Sequence, residues 1–114
     1  MKKVEAIIRS SKFEAVQEGL QEVGINFFTF YEVKGYGHQK GKNRSYRGTA
    51  YDVGYIGRIK LEIIISEEYV GAAHQAIKDA AYTGEKGDGL IIVTNVEEIT
   101  NIRTGLKNGE SINL

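Results

Sequence analysis

Twice along this chain a run of apolar residues at every second position is followed by a run at helical spacing. That order constrains the fold more than any other feature. Val4, Ala6 and Ile8 alternate with Lys3, Glu5 and Arg9, the pattern of a strand with one face on a core. In "SSKFEAVQEGLQEVG", Ser11 and Glu14 stand at capping-box spacing, Phe13, Val16, Leu20 and Val23 form one helical stripe, and Gly24 supplies the stop. Aromatic and β-branched residues from Ile25 to Val33 predict a second strand. "RIKLEIIIS", with Ile59, Leu61, Ile63 and Ile65 set against Arg58, Lys60 and Glu62, predicts a third. Ser66, Glu67 and Glu68 open a second helix whose stripe is Val70, Ala73, Ile77 and Ala80–Ala81, ending by Gly84. "LIIVTNV" is a fourth strand. A short helical turn is predicted near Glu97 to Ile102, and residues 105–114, "GLKNGESINL", read as a polar tail.

The order βαββαβ folds as two right-handed split units, giving an antiparallel sheet with both helices on one face: a ferredoxin-like α+β arrangement. At 114 residues, with no repeat, linker or low-complexity stretch, the chain is expected to be one domain, 1–114. Ile7, Phe28, Phe30 and Ile64 are expected on the face the helices leave open. An apolar face of that kind calls for cover by other subunits.

Composition closes several routes. Lys plus Arg equals Asp plus Glu at 15 each, so no overall charge draws the chain to nucleic acid or to an anionic membrane. There is no cysteine, hence no disulfide framework and no thiolate site. Glu5 and Arg9 interrupt any apolar leader, and runs such as Leu90 to Val93 are far too short to span a bilayer. A cytoplasmic location is expected. His38 and His74 are separated by a helix and two strands, so neither a metal centre nor an acid–base pair is predicted, and nothing points to an enzyme. An acylphosphatase-like hydrolase on the same fold would need a glycine-rich anion cradle after the first strand, where this chain has only Arg9 and Ser10–Ser11.

The second and third strands are joined by nineteen residues, Gly37 to Tyr55, where a hairpin needs only about two to five. Tyr46, Tyr51 and Tyr55 are recognition residues, Lys40, Lys42, Arg44 and Arg47 bring charge, and Gly41, Gly48 and Gly54 free the backbone. Residues 37–55 are therefore expected to be a projecting arm that touches partners. "GEKGDG" adds a glycine-rich bend ahead of the fourth strand, whose N–H groups at Gly87, Asp88 and Gly89 can form an anion-binding nest.

"GYGHQKG" (35–41), "YRGTAY" (46–51), "TGEKGDG" (83–89) and "IRTG" (102–105), in that order and spacing, resemble the PII family of nitrogen-regulatory signal transducers over essentially the whole chain. The resemblance implies a homotrimer with adenine-nucleotide sites in the clefts between subunits. It also implies a loop, 37–55, that docks on a membrane transporter such as an ammonium channel or on a metabolic enzyme. By the same resemblance, Thr29 and the backbone near Ile64 match positions that contact adenine, while Gly35, Gly37, Gly87, Asp88, Gly89 and Arg103 surround the phosphates. Gln39 matches the ligand of a Mg²⁺ that bridges ATP to 2-oxoglutarate, and Tyr51 matches a tyrosine that some relatives have uridylylated.

Departures from the family pattern are informative. Leu90 stands where many members carry Lys, Asn101 and His38 stand where they carry Arg, Arg58 replaces the Lys that pairs with 2-oxoglutarate, and Thr49 replaces a smaller residue. A charge-assisted hydrogen bond is worth about 1.5–3 kcal/mol, so losing three cations weakens the hold on a γ-phosphate. ADP or AMP should gain relative to ATP, and Arg58, a wider planar fork, works against 2-oxoglutarate. The alternative function is thus an energy-state sensor attached to another transporter, of the ABC type.

Overall fold

The computed structural model describes residues 1–36, 44–46, 49–51 and 56–112. The elements run β1 (Lys2–Arg9), α1 (Phe13–Glu22), β2 (Thr29–Gly35), β3 (Arg44–Tyr46), β4 (Thr49–Tyr51), β5 (Ile56–Ile65), α2 (Val70–Ala81) and β6 (Gly89–Asn95). Among the described residues β3 and β4 pair only with each other, and the main sheet has the order β2-β5-β1-β6 with every neighbour antiparallel. This is the ferredoxin-like α+β fold that the order of patterns predicts.

The core follows from the alternation. Val4, Ala6 and Ile8 of β1 and Ile59, Leu61, Ile63 and Ile65 of β5 are buried against Val16 and Leu20 of α1 and Ala73, Ile77 and Ala81 of α2. Each large aliphatic side chain buried there contributes about 1.5–3 kcal/mol, which outweighs any single helix cap. The helix starts show it. The chain enters α1 through a 3₁₀ turn, Ser10–Lys12, and α2 through another, Glu67–Tyr69, and neither helix has a side-chain cap. Ser11 lies inside the first turn rather than at its boundary, so the expected capping box with Glu14 does not form. Ser66 instead turns its hydroxyl to the Met1 sulfur, 3.8 Å away.

The end of α1 is as the sequence predicts. Gly24 takes φ +86°, Ile25 N–H donates to the Leu20 carbonyl at 2.9 Å and Gly24 N–H to Gln21 at 3.0 Å, the two bonds of a Schellman motif. Ile25 is buried as the hydrophobic partner of that motif, so pairing of β2 begins only at Thr29, later than the expected Ile25.

Register corrects the expected open face. Phe30 lies opposite Leu61, a core residue, and therefore points to the helices, where its ring stands 4.6 Å from Phe13. Phe28 packs on the same side, 6.1 Å from Phe13 and from Phe30. The three rings close the β2 edge of the core. Ile7 and Ile64, opposite Lys60 and Lys3, do lie on the open face as expected.

Residues 97–112 are a second correction. Instead of a helical turn and a polar tail, the chain doubles back through a bridge between Thr100 and Lys107, with Asn101 N–H donating to the Leu106 carbonyl at 2.8 Å and Asn108 N–H to Ile99 at 2.9 Å. Ser111 is buried.

Candidate functional site

Two built features stand on opposite edges of the main sheet. On the β2 side, the hairpin of residues 99–108 folds toward the segment between α1 and β2, and a cavity of about 720 Å³ opens between them. Phe27, Phe28, Thr29, Glu62 and Ile64 form one wall, and Ile99, Asn101, Ile102, Arg103 and Ile112 form the other. The lining is mainly apolar with a few polar groups, the character of a site for a small organic ligand. Three residues singled out by the sequence, Thr29, Ile64 and Arg103, meet here, although seventy-four positions separate the first from the last.

On the β6 side, the glycine-rich bend is organised from within by Asp88. Its carboxylate accepts from Thr83 N–H at 2.8 Å and Gly84 N–H at 2.9 Å, from the Thr83 hydroxyl, and from Arg9 Nε at 3.3 Å. Arg9 Nη2 also donates to the Lys86 carbonyl at 2.9 Å. The Thr83 hydroxyl, helped by the Thr83 and Gly84 amides and Arg9, holds the Asp88 carboxyl well below the usual carboxylate range. On either side of Asp88, Gly87 and Gly89 take φ +98° and +114°, a backbone that favours glycine at both positions. A Cβ on Gly89 would lie 1.8 Å from the Ile7 carbonyl oxygen, so only glycine lets β6 start so close to β1.

Between the two edges the open face carries charge as well as apolar side chains. Glu5 accepts from Lys3 at 2.8 Å and Lys60 at 3.2 Å, and these ammonium groups, Lys3 foremost, lower its pKa while Glu5 raises theirs. Tyr31 donates to Glu62 Oε1 at 3.2 Å beside Lys60. One row along, Arg58 sits opposite both Arg9 and Val33. Burial first, then the neighbouring Arg9, lowers the Arg58 pKa against the pull of Asp88, and as a guanidinium it stays charged.

The sequence-derived residues thus divide. Thr29, Ile64 and Arg103 share the β2-side cavity, Gly87–Gly89 form the bend on the β6 side, Arg58 lies between, and Gly35 ends β2 opposite Ile56. Gly37, His38 and Gln39 lie outside the described residues, as does the Tyr51 side chain. Sequence reasoning missed Arg9 and the carboxylate of Asp88, which act as a pair across 79 positions with no motif to join them. It also missed what Asn101 does, because an Asn that bonds within its own turn looks like any loop Asn. Leu90, 64% exposed next to the bend, offers an apolar surface and no cation.

A family profile described as "Nitrogen regulatory protein P-II" matches residues 1–106. Proteins of that name are similar over nearly their full lengths. The one from Azospirillum brasilense is 48% identical across 98% of this chain and 100% of its own, and that from Bradyrhizobium diazoefficiens is 50% identical across 92% and 94%. A Rhizobium meliloti protein, 49% identical, covers the same shares as the latter. With its motifs in place, its sheet in the ferredoxin-like order and relatives at this level, the chain belongs to the nitrogen regulatory protein P-II family.

Proposed function

We propose that the protein is a trimeric adenine-nucleotide-binding signal transducer, not an enzyme, that regulates a transporter or metabolic enzyme through residues 37–55. The setting is cytoplasmic nitrogen regulation, with an ammonium channel as partner. The observation that carries this is the separation of an apolar cavity holding Thr29, Ile64 and Arg103 from a glycine bend held by Asp88, one at each edge of the sheet. The cavity suits a base and the bend suits phosphates, but in one copy the sheet stands between them. A head-to-tail ring apposes the β2 side of one copy to the β6 side of the next, and each junction then makes one complete nucleotide site. Exposed Leu90 and Ile92 and half-buried Ile7 and Ile64 on the open face favour the same closure. In this arrangement Gln39 would supply a hard oxygen ligand to a nucleotide-bound Mg²⁺, and Arg58 the cation for a carboxylate of 2-oxoglutarate.

A specific observation favours a second function, an energy-state sensor attached to an ABC-type transporter. Beside the bend Leu90 is apolar, and in the cavity wall the Asn101 amide is committed to its own turn. Neither adds a cation for a third phosphate, so ADP or AMP should bind at least as tightly as MgATP.

Calorimetric titration with AMP, ADP and MgATP, with and without 2-oxoglutarate, separates the two. MgATP binding more than about tenfold tighter than ADP, tightened again by 2-oxoglutarate, identifies the nitrogen-status sensor, a gap of about 1.4 kcal/mol. ADP or AMP equal to or better than MgATP, with no 2-oxoglutarate response, identifies the energy-state sensor. No binding of any of the three overturns both.

A further inference from the structure

We infer that Asn101 is a positioning residue that fixes the Arg103 turn in the cavity wall and ties it to the C-terminal segment, a role that rests, for its ligand, on the nucleotide function proposed above. One amide side chain makes three hydrogen bonds. Its Oδ1 accepts from Arg103 N–H at 3.0 Å and from Thr104 N–H at 3.1 Å, and its Nδ2 donates to the Ser111 carbonyl at 3.0 Å. The backbone closes the same turn, Gly105 N–H donating to the Asn101 carbonyl at 2.8 Å and Asn101 N–H to Leu106 at 2.8 Å. On the other side of the joint, Ser111 is only 6% exposed, its N–H donates to the Asn108 carbonyl at 2.8 Å and its hydroxyl donates to the same oxygen. Ser111 and Ile112 belong to the cavity lining together with Asn101 and Arg103. The wall is therefore two layers, a turn that carries the cation and a chain end that backs it, and the Asn101 amide is the fastener between them.

The chemistry of the position follows from what an amide can do and a guanidinium cannot. Asn offers acceptor and donor on one short side chain, whereas Arg has five donors and no acceptor. Asn101→Arg would strip the Arg103 and Thr104 amides of their acceptor and set a second cation beside Arg103. The turn holds the Arg103 backbone in place before any ligand arrives, so a nucleotide has only the side chain to order. This chain thus meets the phosphates with one cation on a prepositioned backbone turn, and an added arginine at 101 does not simply restore a second.

Hydrogen–deuterium exchange of the full chain without ligand, followed by titration with ADP and MgATP, tests this. Asn101→Ala should speed exchange by about tenfold at Arg103 and Thr104, the two amides that lose their acceptor, and weaken ADP binding several-fold. Asn101→Asp keeps an acceptor oxygen and loses the donor to the Ser111 carbonyl, so Arg103 and Thr104 should stay protected while the segment around Ser111, whose own N–H bonds to Asn108, loosens and exchanges faster. Asn101→Arg, which has no acceptor, should release the Arg103 and Thr104 amides and leave MgATP no tighter than in the wild type. Unchanged exchange in Asn101→Ala, or protection retained in Asn101→Arg together with tighter MgATP binding, overturns the positioning role. Wild-type protein that binds neither nucleotide overturns the functional proposal and the ligand half of this one, whichever way the exchange falls.

Discussion

At the scale of single residues, Asp88 shows how a side chain can be more informative than the motif that contains it. The sequence singles out 87–89 for their amides, and the glycines do have the required positive φ. The carboxylate, though, is what shapes the bend, accepting from Thr83, Gly84 and Arg9 at once. Those donors lie four and five residues before it and 79 before it, and no local pattern joins them. Because these bonds favour the ionised form, the folded-state pKa lies below the ordinary 3.8. For a depressed acid the stabilisation is complete above the unfolded value and fades as pH falls through the folded one. The difference in unfolding free energy between wild type and Asp88→Ala should therefore be constant above pH 3.8 and shrink progressively below it. Denaturation measured across acid pH checks this, and a gap that does not narrow in acid would place the contribution in packing instead of charge.

At the scale of elements, order and type were legible, while junctions were not. β1, β5, β6 and both helices stand where their periodicities put them, since period 2 and period 3.6 record which face meets the core. The aromatic run of β2, by contrast, starts later than expected and turns Phe28 and Phe30 to the helices. The misses fall where local hydrogen bonding competes with that record. Ser11 and Ser66 look like caps, but 3₁₀ turns shift the helix starts beyond them. Ile25 looks like strand and is taken by the end of α1. The hairpin of 99–108 rests on a bridge and an Asn side chain, and its polar composition gives no periodicity to read. Residues 37–43, 47–48 and 52–55 lie outside the described residues, so the expected arm is represented by the β3–β4 pair alone. The most exacting junction is the start of β6. Gly89→Ala combines an unfavourable positive φ with a Cβ driven into the Ile7 carbonyl, which is backbone and cannot rotate away. It should destabilise the protein by at least about 2 kcal/mol. The check is the urea midpoint at matched protein concentration, with Gly24→Ala as comparison. Gly24 has a similar φ of +86° but open space around it, so its cost should be about 1–2 kcal/mol. Equal losses at the two sites would mean that strain alone matters and the close approach does not.

At the scale of the whole molecule, the open face of the sheet decides whether one copy is a finished object. Its rows read Thr29, Glu62, Glu5, Ile92, then Tyr31, Lys60, Ile7, Leu90, charged toward β5 and apolar toward β6. Glu5 serves two ammonium groups and Glu62 accepts from the Tyr31 hydroxyl, so both carboxylates of this face have partners within it when it is covered. A surface like this suits a second and third copy better than a solvated exterior. Sedimentation at micromolar concentration should give the mass of a trimer. Ile7→Lys tests the same idea from within the sheet. It places an ammonium directly opposite Lys60, with Glu5 already engaged by Lys3 and Lys60, so covering the face would bury an unpaired charge at a cost of several kcal/mol. The side chains at 4, 6 and 8 point to the helices and are untouched, so the variant should keep its far-ultraviolet circular dichroism while sedimenting as a monomer. A variant that keeps the wild-type mass would show that Ile7 stays open to water in the assembly, and that the copies meet somewhere other than across this face.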